Sequence, residues 1–133
     1  MVSAQLTSAR ATLERALAIK EAAYAPDHPE VAKTLAWLGE TQGRLGDHPA
    51  ARATLERALA INEAAYGPDG PEVAEILLSL GKVQGSSSPA DLLAARTTLE
   101  RALAINEAAY GPDHPQVAGP SPSWVTSSVS WGT

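Results

Sequence analysis

The chain has no cysteine, no phenylalanine, one methionine and only 5% aromatic residues in 133 positions. Without cysteine there is no disulfide framework, no thiolate metal site and no cysteine nucleophile. With so few rings, the 44% apolar content rests on Ala, Leu, Val and Ile, which suits thin, closely packed helices. Positive charge is also scarce. Ten Lys and Arg against fifteen Asp and Glu leave a net charge of −5, which argues against a nucleic-acid or anionic-membrane surface. No apolar run reaches the ~18 residues of a membrane span. The start, Met1-Val2-Ser3-Ala4-Gln5-Leu6, lacks the basic-then-apolar order of a signal peptide. A soluble, cytoplasmic protein is the expectation. No nucleophile–base pair, phosphate-cradling glycine loop or dinucleotide fingerprint is legible, so neither an enzyme nor a cofactor is expected.

What the chain does have is repetition. The stretch from Arg52 to Asp69 returns at Arg96 to Asp113 with one change, Thr97 for Ala53. It also stands at Arg10 to Asp27 with two changes, Lys20 for Asn62 and Ala25 for Gly67. The copies start 42 and 44 residues apart. Such a period is the mark of stacked repeats that bury their faces on one another.

Five helices follow from the three-four spacing of apolar residues. The first spans about 6–24, with Leu6, Ala9, Leu13, Ala16 and Leu17 on one face and Lys20 extending its stem along that row. The second runs over 29–44, with Val31, Leu35, Leu38 and Leu45 as its stripe and Gly39 as a flat spot for a neighbouring backbone. The third covers 49–66, the fourth 71–84 and the fifth 90–110. Asp27-His28-Pro29-Glu30 reads as a helix start, with Asp27 as cap and Glu30 reaching back to it. Asp69-Gly70-Pro71-Glu72 and Asp113-His114-Pro115-Gln116 repeat that signature, with proline in the first turn. Gly46 suits the left-handed position after a helix, and Asp47 the cap of the next. A sixth helix is due after Ala118, but Pro120 and Pro122 forbid a regular one. Trp124 falls where Leu38 stands in the second helix. The expectation is a helical repeat domain over 1–118 and a Ser/Pro-rich tail without fixed structure over 119–133.

The pairs Leu35-x2-Leu38-Gly39-x2-Gln42 with Ala51-x3-Leu55-x2-Ala58, and Leu77-x2-Leu80-Gly81-x2-Gln84 with Ala95-x3-Leu99-x2-Ala102, resemble tetratricopeptide repeats. Ala9-x3-Leu13-x2-Ala16 supplies an orphan half. The 42-residue period with Ala-Leu-Ala-Ile and Gly-Pro-Asp-His-Pro is similar to the kinesin-light-chain type. The resemblance covers about 9–118. It implies an all-α solenoid of antiparallel helix pairs, a right-handed superhelix of about two and a half repeats. It also implies that the first helix of each pair lines a concave groove for a partner peptide or helix. Carried over residue by residue, that groove would be Lys33, Ala36, Trp37, Glu40 and Arg44, then Glu75, Leu78, Ser79 and Lys82. Ala36-Trp37 and Leu78-Ser79 stand where light-chain repeats often carry paired asparagines.

Among the groove residues Trp37 has two readings, an anchor for a partner or a ring packed beneath the neighbouring repeat. His28, His48 and His114 sit at separate helix entries, which suits turn chemistry and not a metal site. Glu14-Arg15, Glu56-Arg57 and Glu100-Arg101 recur as solvated or inter-repeat ion pairs. Tyr24, Tyr66 and Tyr110 read as packing residues at helix ends, and Gly39 and Gly81 as packing glycines. Head-to-tail self-association is a second expectation, because the first helix has no preceding partner, Leu99, Ala102, Leu103 and Ala109 expect a following one, and the two ends differ. Trp124 and Trp131 offer an alternative cover for that end. The sequence also fits a fragment of a longer array.

Overall fold

The computed structural model describes residues 2–85 and 89–111. Among them are five helices and no strand: α1 (Val2–Ala23), α2 (Pro29–Arg44), α3 (His48–Tyr66), α4 (Pro71–Gln84) and α5 (Pro89–Tyr110). Each helix packs against the next in the chain, and α2 also touches α4. The result is a solenoid in which α2–α3 and α4–α5 are pairs and α1 packs on α2 as α3 packs on α4. The positions expected at 119–133, and the third helix-start signature at 113–116, lie outside the described residues.

The helix boundaries follow the punctuation, with one shift. The cap of α2 is His28, not Asp27: the backbone N–H of Glu30 donates to His28 Nδ1 at 3.1 Å. At α4 the cap is Gly70, which has no side chain to offer. Proline at the first position fixes both starts, so the cap lies directly before it, one residue later than Asp27 and Asp69. Asp47 does occupy the cap of α3 but makes no side-chain bond there. The α2–α3 turn is a Schellman closure, with Asp47 N–H on the Gln42 carbonyl and Gly46 N–H on that of Gly43. It needs the positive φ of +85° at Gly46 that glycine adopts without strain.

Three apolar clusters form the core. Val31, Ala32 and Leu35 of α2 meet Ala58 and Ile61 of α3 and Ile76 of α4. Val73, Ala74 and Leu77 meet Ala102 and Ile105 one repeat later. Between them Ala51 and Leu55 of α3 meet Leu80 and Val83 of α4. Leu59 borders all three clusters, so it joins one repeat to the next. Leu17, one period earlier, packs on the first cluster in the same way. Leu45, expected in the stripe, is only half-buried.

Gly39 and Gly81 are packing glycines, but it is a side chain and not a backbone that approaches them. A Cβ on Gly39 would lie 2.6 Å from Leu55 Cγ, and one on Gly81 would lie 2.7 Å from Leu99 Cδ2. Each leucine therefore inserts into the notch its own pair leaves open. Beside it, Thr54 donates to Gln42 Oε1 at 2.7 Å and Thr98 to Gln84 Oε1 at 2.8 Å. The repeats are also stapled from behind. Arg57 reaches Glu21 and Arg101 reaches Glu63, both at 2.7 Å. The same guanidinium groups donate to the Pro26 and Pro68 carbonyls of the intervening loops. Arg57 and Arg101 are thus inter-repeat ties. Tyr24, Tyr66 and Tyr110 end their helices largely exposed, Tyr24 lying over the His28 ring.

Candidate functional site

Because α2 and α4 are both first helices, they lie side by side and present equivalent rows, Lys33 to Arg44 and Glu75 to Lys82. Two hollows open along them. One, about 400 Å3, is bordered by Lys33, Ala36, Trp37 and Glu75 of the expected residues. The other, about 210 Å3, is bordered by Glu40, Arg44, Ser79 and Lys82. Eight of the nine expected groove residues therefore gather at the two hollows. Leu78 borders neither; it is half-buried and packs against the Val73–Leu77 cluster.

The wall between the rows is polar. The Ser79 hydroxyl, itself buried, donates to Glu40 Oε1 at 2.8 Å and ties α4 to α2. Charge alternates along the row, with Lys33, Arg44 and Lys82 against Glu40 and Glu75. Lys33 is not independent. Its ammonium lies 3.1 Å from Glu30, which also holds Lys20 of α1 at 2.9 Å. The hydrogen bonds from Lys20 and Lys33 hold the Glu30 carboxyl below the usual glutamate range. The reciprocal hydrogen bond to Glu30 raises the Lys33 ammonium. Lys20, whose stem extends along the α1 row, is therefore a bridge between α1 and α2.

Trp37 is 59% exposed. That exposure defeats the packing reading, since the neighbouring repeat leaves most of the indole uncovered. From α3, which the row pattern did not include, Asn62 and Tyr66 also line the larger of these two hollows. Asn62 is buried and donates to the Glu72 carbonyl at 3.3 Å. Their four-residue spacing in the repeated stretch from Arg52 to Asp69 was the available signal. Among the described residues no group of His, Cys, Asp and Glu could hold a metal ion. His28 caps a helix, His48 begins α3 with its Nδ1 enclosed and unpartnered, and His114 lies outside the described residues.

A tetratricopeptide repeat model matches residues 3–64 and again 30–88, and a second such model matches 91–116. The chain belongs to the tetratricopeptide-repeat family. The matched segments take in nearly all of the five helices, and repeats of this family generally mediate protein–protein interaction and are generally not enzymatic. The curated proteins hold no match to the sequence. No described helix of this tetratricopeptide-repeat protein is long and apolar enough to cross a membrane.

Proposed function

We propose that this protein is an interaction module that holds a partner peptide or helix along the α2–α4 row, with Trp37 as the anchor. The observation that carries the reading is the exposed indole at the edge of a hollow of about 400 Å3, flanked by Lys33 and Glu75. A large ring left in water with charges of both signs beside it is the composition of a binding centre. Lys33, Ala36 and Glu75 frame the indole, while Glu40, Arg44, Ser79 and Lys82 continue the row as its polar extension. The partner supplies an apolar or aromatic residue to Trp37, and the alternating charges set its register.

Peptides selected from a displayed random library on the full chain test this. Trp37→Ala is expected to weaken the selected peptides by about 30-fold, the effect of an anchor worth ~2 kcal/mol, with unchanged far-UV circular dichroism. Peptides that bind Trp37→Ala as well as the parent would defeat the groove reading.

End-to-end association of copies is the second reading, motivated by the apolar side chains exposed on α1 and α5. The ends do not suit each other directly. Ile19 of α1 is 59% exposed while its counterparts Ile61 and Ile105 are 5% and 4%, because those two face the first helix of their own pair. Leu99 and Leu103 of α5 are open on the side where a following first helix would lie. Direct contact of the two faces would set α1 against α5, one second helix against another.

A further inference from the structure

Equivalent sites one repeat apart carry unlike charge. Where α1 meets α2, Glu30 holds the ammonium groups of Lys20 at 2.9 Å and of Lys33 at 3.1 Å. Lys20 Nζ also lies 5.9 Å from the centre of the Tyr24 ring. One period on, Glu72 and Tyr66 repeat the carboxylate and the ring, but Asn62 stands in place of Lys20 and Glu75 in place of Lys33. We infer that a Lys or Arg side chain of the partner completes this second site, in the hollow beside Trp37. The inference rests on the groove reading and adds to it the charge of the residue that sits next to the partner's apolar anchor.

The first repeat shows what such a site holds. A carboxylate bonds an ammonium or guanidinium at close range, and a tyrosine ring attracts the same cation from its face. There the chain supplies the cation itself, from Lys20. The second repeat keeps both acceptors without that donor. The short side chain of Asn62 goes no further than the Glu72 backbone carbonyl, 3.3 Å from its amide nitrogen. Among the described residues neither Glu72 nor Glu75 enters an ion pair.

Charge and place agree. Glu30 and Lys33 stand three apart on α2 and attract; Glu72 and Glu75 stand three apart on α4 and repel. A cation between the latter two relieves that repulsion as Lys33 does for Glu30. Asn62, Tyr66, Glu72 and Glu75 all border the hollow of about 400 Å3 whose α2 side carries Trp37. Lys33 borders it as well, but its charge is matched by Glu30. The sign of the hollow is therefore set by the two carboxylates of α4. The lysine stem that joins α1 to α2 has no equivalent between α3 and α4, and the room it would take lies on the side that faces a partner.

The test uses peptides selected from a displayed random library on the full chain. They are expected to carry a Lys or Arg beside their apolar residue, and changing it to Gln should weaken binding about fivefold, the upper range for an exposed ion pair. Glu75→Lys and Asn62→Lys each copy the first repeat and fill the site from within. On either variant the same change in the peptide should have no effect, with helical circular dichroism unaltered; Glu75 is exposed, so its variant keeps the test open if Asn62→Lys misfolds. Selected peptides without an excess of Lys or Arg would overturn the inference. So would a loss on Glu75→Lys equal to that on the parent. Binding that falls in Trp37→Ala yet ignores Glu75→Lys would leave the groove standing and end this inference alone. Peptides that keep their need for a basic residue on Trp37→Ala would do the reverse, upholding the cation site without the anchor.

Discussion

Helices α3 and α5 share one sequence from Arg52 and Arg96 onward, apart from Ala53 and Thr97, yet they do not share an environment. Leu55 is fully buried and Leu99 is 39% exposed; Leu59 touches three clusters and Leu103 is 41% exposed. Their inner faces are alike: Ala58 and Ala102 are both fully enclosed. Ala102 was expected on the open face with Leu99 and Leu103, but it packs back on α4, and Ala109 is exposed. The difference lies wholly on the outer side, where α4 covers α3 and no described helix covers α5. Identical residues thus contribute unequally, because the burial that stabilises them depends on what the solenoid places against them.

Truncation of the paired leucines should show the largest gap. Leu55→Ala is expected to cost about 2–5 kcal/mol, the range for emptying an enclosed core site. Leu99→Ala should cost measurably less, since Leu99 is already partly exposed and no described helix covers it. Urea unfolding of the two variants reads the difference, and equal losses would break the comparison.

The notch glycines sharpen it. Gly39→Val must displace Leu55, which is held on all sides, and should lower stability by ~1–3 kcal/mol. Gly81→Val presses on Leu99 at a similar distance, but that side chain can turn towards the open side, so the fall in melting temperature should be smaller. An unchanged melting temperature for Gly39→Val would contradict the pairing of α2 with α3.

The smallest effect concerns α1, which carries Lys20 where α3 and α5 carry Asn62 and Asn106. The Lys20–Glu30 bridge titrates, whereas the Asn62 amide bond to the Glu72 carbonyl does not. Glu30 is depressed, so its contribution is complete above the ordinary glutamate pKa of about 4.3 and is lost as pH falls through the lower folded value. Lys33 is raised, so its share is complete below the ordinary lysine range and is lost as pH rises through the higher folded value. Amide exchange in α1 should therefore quicken at acid pH in the parent and less so in Lys20→Asn. Identical acid profiles would remove the bridge from the account.

The existence, order and ends of the helices were legible because they rest on local rules. Apolar spacing, prolines at the first position and Gly46 after α2 each act within a few residues. The recurrence of Leu-x2-Leu-Gly made the pairing legible too, and with it eight of the nine residues now placed at the hollows. That His28 and not Asp27 caps α2 follows from Pro29 holding the first helical position, so this too was a local matter. That Trp37 stands in water, that Leu78 packs inward and that Asn62 and Tyr66 join the hollow turned on how α4 crosses α2. Above all, sequence identity could not distinguish Leu55 from Leu99, since burial is a property of the neighbouring helix and not of the side chain itself.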